Sequence, residues 1–264
     1  MAGAPLPLAT IAALVVPVSA GIGWMALAGA STVWLAVNAL ALALALALAW
    51  LLPLPCSQRG VLVLAGALAL ALWATALAGE PVEGVRRWVG IGPVKLHLGY
   101  LILPLLVMLT ARLPSLPALA LLLAALSATV LQPDLAATVA LTASMLVAAV
   151  QRLGVIGWIM AVSSLLACSY LLGQPDTLAP VRFVEQVQSD AWAVQPAAGL
   201  ALTLAGLTPL LLLRQAAPLA AFLIAAGLMA FAGPYPSILI GYGAAPILGF
   251  GLALAALRCQ RQSA

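Results

Sequence analysis

The first charged side chain in this 264-residue chain is Arg59, and the charges that follow stand singly or in small groups between long runs of Leu, Ala and Val. Only 6% of the residues are charged and 66% are hydrophobic, against roughly a quarter charged and about half apolar in a water-soluble domain. No soluble fold can bury that much aliphatic surface with so little polar surface to face water. In a bilayer the constraint reverses: a helix satisfies its own backbone hydrogen bonds, and about 20 apolar residues cross the hydrocarbon core. The sequence therefore predicts an all-α, polytopic integral membrane helix bundle forming a single domain over residues 1–264.

Charges, Pro clusters and turn residues divide the chain into ten candidate crossings, near 6–29, 31–52, 61–79, 97–111, 115–131, 135–151, 153–173, 194–214, 217–233 and 238–257. Several sit at the lower limit of length for spanning, so an eight-crossing plan with tilted or re-entrant hairpins stays open. The stretch Met1-Ala-Gly-Ala-Pro-Leu-Pro7 has no basic segment ahead of the first apolar run, which predicts that the run remains a membrane helix. Cytoplasmic loops carry an excess of Lys and Arg. With both termini cytoplasmic, the inner connections hold Arg59, Arg112, Arg152, Arg214, Arg258 and Arg261 and no acid. The outer face then gathers Glu80, Glu83, Asp134, Asp176, Glu185 and Asp190, with Arg86, Arg87, Lys95 and Arg182. These four outer cations run against the positive-inside trend. They read either as partners in surface ion pairs or as a site for an anionic substrate.

Several function classes fall away on composition. The basic residues form no run or patch that could track a phosphate backbone, so nucleic acid is not an expected partner. Cys56, Cys168 and Cys259 show no metal-ligand spacing, and with His97 as the only histidine a zinc site is not expected. A lone interfacial histidine is more often hydrogen-bonded in place than a ligand.

Three segments carry a more specific signal. The loop after the third crossing reads Gly84-Val-Arg-Arg-Trp88-Val-Gly-Ile-Gly92-Pro93. Between the fifth and sixth crossings stands Leu131-Gln132-Pro133-Asp134-Leu135, and before the tenth Pro234-Tyr-Pro236-Ser-Ile-Leu-Ile-Gly-Tyr242-Gly243. In this order and at these loops they resemble the FtsW/RodA/SpoVE (SEDS) family, which carries Gly-x-x-Arg-Trp, Leu-Gln-Pro-Asp-Leu-Gly-Thr and Pro-x-Pro-Phe-[Ile/Val]-Ser-Tyr-Gly-Gly-Ser-Ser at the corresponding places. A fourth segment, Gln188-Ser-Asp190-Ala-Trp192-Ala, is similar to the family's Thr-Asp-Phe-Ile-Phe-Ala, whose Asp is the residue assigned to catalysis. On its own, Asp190 also reads as a helix N-cap.

The resemblance implies a peptidoglycan glycosyltransferase that polymerises lipid II at the outer face of the bacterial cytoplasmic membrane, in cell-shape maintenance or division. Its implied partner is a class B penicillin-binding protein transpeptidase, with membrane lipids around the helices. Such a reaction needs a base to take a proton from a sugar hydroxyl and positive charge to offset the departing pyrophosphate. Asp190 is the implied base. Arg86 and Arg87, with Lys95 or Arg182, are the implied pyrophosphate ligands, and Trp88, Gln132, Asp134 and Tyr242 complete the expected substrate-binding set. The chemistry admits a divalent cation, for which no residue pattern specifies a site.

Departures from the family keep other readings open. Its Gln-Pro-Ser-Glu-x-x-Lys falls on His97-Leu98-Gly99-Tyr100-Leu-Ile-Leu103, without the acid or the base. Its Ser-Tyr-Gly-Gly-Ser-Ser falls on Gly241-Tyr242-Gly243-Ala244-Ala245-Pro246, without three hydroxyls. The outer loop, about 174–192, is short, as is the chain. A catalytically degenerate scaffold that binds a lipid-linked precursor or a cell-wall partner is one alternative. A lipid-linked precursor flippase is another, disfavoured because no charge lies within a crossing.

Overall fold

The computed structural model describes residues 6–92, 94–152, 154–174 and 178–263. Helices α1 (Leu8–Leu27), α2 (Thr32–Leu51) and α3 (Gln58–Ala78) lead into a three-stranded antiparallel meander, β1 (Glu80–Val82), β2 (Val85–Ile91) and β3 (Val94–His97). Then come α4 (Leu98–Thr110), α5 (Ser115–Leu131), α6 (Leu135–Arg152), α7 (Gly154–Leu172), α8 (Val187–Val194) and α9 (Pro196–Gly206). A 3-10 turn (Thr208–Leu212) follows, then α10 (Leu213–Ala232) and α11 (Ala244–Ser263). Among the described residues, α1, α2, α3, α7 and the run Pro196–Ala232 are long and apolar enough to cross a membrane. The molecule is a polytopic helical membrane bundle.

The helices start where polar side chains can replace the missing backbone acceptors. Ser31 and Ser57 accept from Trp34 N (3.3 Å) and Gly60 N (3.2 Å). At the centre stands α4, buried at every residue from Gly99 to Thr110 except Leu101. Its 13 residues make it about 20 Å long, shorter than the hydrocarbon core, so it is packed by protein rather than lipid. Close packing around it depends on small residues, as is usual between membrane helices. A Cβ on Gly249 would lie 2.1 Å from the Tyr100 carbonyl oxygen, and one on Gly251 2.5 Å from that of Ala45, so α11 lies backbone to backbone against α4 and α2.

Three features depart from the sequence expectation. Residues 80–97, taken as a loop, form the meander, the only sheet among the described residues. The expected eighth crossing at 194–214 is divided: α8 ends at an extended Gln195 (φ −147°, ψ 96°), Pro196 opens α9, and α10 carries a non-helical Ala216 two residues before Pro218. The proline explains that break, because it lacks an N–H and clashes with the preceding turn. The last helix begins at Ala244 rather than near 238, because residues 233–243 run as irregular chain between helices.

That irregular segment is buried from Ser237 to Gly241, where unsatisfied backbone groups are costly. Asn38, inside α2 and fully buried, supplies the partners: its Nδ2 donates to Gly241 O (2.9 Å) and its Oδ1 accepts from Gly243 N (3.1 Å). Ser237 N donates to Val184 O (2.8 Å), and the Ser237 hydroxyl accepts from Val187 N (3.1 Å). The Tyr242 ring stacks on Trp34 at 4.6 Å. At the opposite end, Arg112 donates to Pro55 O and Cys56 O and Arg258 to Leu52 O, fastening the α2–α3 turn.

Replacing Asn38 by Leu keeps the volume and leaves Gly241 O and Gly243 N unpaired. Each orphaned group costs about 1–3 kcal/mol, so Asn38→Leu is expected to lower the thermal midpoint of the detergent-solubilised protein by several degrees, read by scanning fluorimetry.

Candidate functional site

The meander decides where the two adjacent arginines point. Glu83 (φ 49°) and Gly84 (φ 85°) both take left-handed backbone, the two-residue turn that matches the twist of a hairpin. Successive side chains of β2 then face opposite sides. Arg87 turns inward and is only 5% exposed, whereas Arg86 lies exposed and donates to Leu77 O (3.1 Å) at the end of α3. Trp88 pairs across the ladder with His97, and their rings meet edge to face at 5.6 Å.

Inside the bundle, Arg87 meets the α5–α6 turn. Its Nε donates to Gln132 O (3.0 Å) and a terminal nitrogen donates to Pro133 O. Gln132, fully buried, donates through Nε2 to Leu72 O (3.0 Å) in α3. Asp134 caps α6 by accepting from Ala137 N at 3.0 Å. Its other oxygen lies 3.1 Å from His97 Nε2 but off the ring N–H direction, so that oxygen has no well-aligned donor. His97 in turn caps α4, its Nδ1 accepting from Tyr100 N (3.4 Å), which leaves Nε2 as the N–H that faces Asp134. Burial pushes the Asp134 carboxyl up, but the Arg87 guanidinium, His97 and the Ala137 N–H together outweigh it and hold the group down to about 2. A buried carboxylate is thus kept ionised by a buried guanidinium.

Asp190 lies elsewhere. It is exposed in the first turn of α8, whose N-cap is Gln186, so it does not cap the helix. Among the described residues its carboxylate has no hydrogen-bond or ion-pair partner. It lines a cavity of about 350 Å³ with Arg182 and with Trp24, Leu27, Val187 and Val194 as apolar wall. Arg182 is exposed, donates to Ala28 O (3.0 Å) and sits 4.6 Å over the Phe183 ring.

A second cavity, of about 170 Å³, opens under the meander and is lined by Trp88, Lys95, His97, Tyr100, Glu185 and the 236–246 segment, including Tyr242. Lys95 is held by Glu80 at 2.6 Å in an exposed pair, a kind worth about 0–1 kcal/mol. Residues 182–187 separate the two cavities: Arg182, Phe183 and Val187 line the first, Val184 and Glu185 the second.

The outer residues expected to form one site are therefore divided. Asp190 and Arg182 share one cavity. Trp88, Lys95 and Tyr242 line the other. Arg87, Gln132 and Asp134 line neither and form the buried cluster between the meander and the α5–α6 turn. Arg86 is tied to the end of α3, so the expected Arg86–Arg87 pair does not converge on one ligand. Asp176 and Pro93 lie outside the described residues. Nothing in the residue pattern singles out Tyr100, or pairs His97 with an aspartate 37 positions further along. The lone histidine is hydrogen-bonded in place, as its bland reading held. Among the described residues no three His, Cys, Asp or Glu side chains converge to hold a metal ion.

No protein-family model matches the sequence, and no curated protein sequence does. The fold is that of solved structures. The chain is similar to the crystal structure of the rod shape determining protein RodA of Thermus thermophilus, at TM-score 0.68 and 23% identity over 97% of both chains. It matches an aspartate-to-alanine mutant of that protein at TM-score 0.66 and 22% identity, over 97% of this chain and 96% of that one. A chain from a peptidoglycan synthase complex, described for the structural coordination of polymerization and crosslinking, matches at TM-score 0.56 and 21% identity over 94% of this chain and 98% of that one. The chain covers nearly the whole of each matched chain.

The depressed Asp134 gives the cluster a signed pH dependence. Its contribution to stability is complete above the ordinary value of 3.8 and is lost as pH falls through about 2. Thermal melts across that window are expected to show an acid-dependent loss in the parent protein that is smaller in Asp134→Asn. Arg87→Met, which strands the carboxylate, is expected to lower stability by about 3–5 kcal/mol.

Proposed function

We propose that this chain is a SEDS-type peptidoglycan polymerase that joins lipid II units at the outer face of the bacterial cytoplasmic membrane, and that Asp190 is its general base. The observation that carries the reading is an unpartnered carboxylate that shares an open, apolar-walled cavity with a guanidinium. The RodA-like fold and the order of the Arg-Trp, Gln-Pro-Asp and Pro-Tyr-Pro segments support it.

In that cavity, an Asp190 oxygen accepts the proton of the acceptor sugar's hydroxyl as its oxygen bonds to the anomeric carbon of the donor. The donor's carbon–oxygen bond to the pyrophosphate breaks, and the pyrophosphate leaves with the electron pair. Arg182 places two-pronged donors where that charge collects. Trp24, Leu27 and Val194 give the polyprenyl chain an apolar path from the bilayer. A divalent cation, if used, would be held chiefly by the substrate's phosphate oxygens, since no cluster among the described residues offers a ligand set. A class B penicillin-binding protein is the proposed partner, in keeping with the synthase complex that shares the fold.

One observation favours the non-catalytic alternative. Arg87 and Lys95, expected to hold pyrophosphate, are engaged by Gln132 O and by Glu80, and Arg86 is tied to Leu77 O, so Arg182 is the one expected cation that lines the Asp190 cavity. A scaffold of this kind would co-purify with a cell-wall transpeptidase and make no glycan.

Purified protein given lipid II should form glycan chains, resolved by gel electrophoresis. Asp190→Ala is expected to abolish them, and Arg182→Ala to slow turnover about 10²-fold, the effect of removing one donor from a charge-stabilising site. Asp190 is exposed and unpartnered, so Asp190→Ala should leave the thermal midpoint where it is. Unchanged polymer from Asp190→Ala removes the proposed base.

A further inference from the structure

We propose that the 170 Å³ cavity under the meander binds an uncharged acetamido-sugar unit of the substrate and that the Tyr100 hydroxyl donates the hydrogen bond that recognises it. This rests on the polymerase reading above, and it assigns to the second cavity a ligand chemistry different from that of the first.

Tyr100 is 2% exposed, and its hydroxyl has no hydrogen-bond partner. A buried hydroxyl left unpaired costs about 1–3 kcal/mol, and in native proteins such groups mark a missing water or ligand. Tyr100 lines the cavity together with Trp88, His97 and Glu185. Its ring is fixed, tilted against His97 at 4.6 Å. The donor is therefore held in place before any ligand arrives.

The charges around the cavity are already committed. Lys95 is paired with Glu80 at 2.6 Å, Glu185 accepts from Val181 N at 2.6 Å, and His97 lies between Tyr100 N and Asp134. A phosphate would have to break one of these contacts, whereas an amide carbonyl or sugar hydroxyl needs only the donor that is waiting. Trp88 supplies an apolar ring face and Ala244 and Ala245 an apolar floor, which suit the apolar face of a sugar and its acetyl methyl. The volume is below the roughly 300 Å³ of a site for a whole small ligand, so the cavity takes one part of a larger molecule. The reacting hydroxyl, anomeric carbon and pyrophosphate then stay on the Asp190 and Arg182 side of residues 182–187, and only a sugar unit remote from the bond being made enters this cavity.

The test uses radiolabelled N,N′-diacetylchitobiose, which has acetamido sugars but no phosphate or lipid, in equilibrium dialysis with the detergent-solubilised full chain. Saturable binding is expected. It should weaken about five- to tenfold in Tyr100→Phe, the equivalent of one net hydrogen bond, while Asp190→Ala binds as the parent does. Tyr100→Phe keeps the packing and removes an orphaned group, so its thermal midpoint should be unchanged or higher. No saturable binding by the parent protein, or equal affinity in Tyr100→Phe, overturns the proposal. If chitobiose binding depends on Tyr100 but Asp190→Ala still makes glycan, the catalytic reading fails and the sugar site stands. If Asp190→Ala loses glycan and Tyr100→Phe binds unchanged, only the sugar site fails.

Discussion

A buried guanidinium and a buried carboxylate hold the meander end of this bundle in register. Arg87 reaches from the meander to the α5–α6 turn, where Asp134 caps α6 and faces His97, which caps α4. Four elements that no apolar contact alone would align are thereby tied to one another. Taking either charge out of water is costly, and the pair is tolerable because carbonyls and N–H groups occupy most of the remaining valences. The same cluster fixes the roof of the second cavity, because His97 and Trp88 form part of its wall and Tyr100 follows directly on the cap.

A second polar device lets irregular chain run inside the bundle. Residues 233–243 could not lie among helices unless their backbone groups were met, and Asn38 meets two of them from the middle of α2. Val184 and Val187, leading into α8, are bonded to Ser237 of the same segment. The partition between the cavities therefore rests on the buried segment, and Asp190 follows within the same stretch of chain. The position of the proposed base is thus coupled to an asparagine on the far side of the segment.

Much of this was legible in the residues. The apolar runs between scattered charges gave the bundle, and the Arg-Trp, Gln-Pro-Asp and Pro-Tyr-Pro segments do sit together at one end. The meander was hidden because strands of three to seven residues carrying Arg-Arg give no apolar alternation. The Glu83-Gly84 turn was the one local signal for it. The different fates of Arg86 and Arg87 follow from strand periodicity, which has no meaning until the strand is known. The contact of His97 with Asp134 joins a cap to a turn across a whole helix hairpin, and single-sequence periodicity carries nothing about such pairs. Asn38 and Tyr100 look like ordinary members of apolar helices, and only the backbone and the cavity beside them give them a role.

The division of labour at the meander end depends on Arg87 serving the fold rather than the substrate. The most direct measurement is a double-mutant cycle on unfolding free energy with Arg87→Met, Asp134→Asn and the double variant. A buried, mutually dependent pair predicts an interaction energy of about 2 kcal/mol or more, with the double variant much less destabilised than the two single losses combined. Losses that add to within about 0.5 kcal/mol would contradict it, and would return Arg87 to the residues free to meet the pyrophosphate.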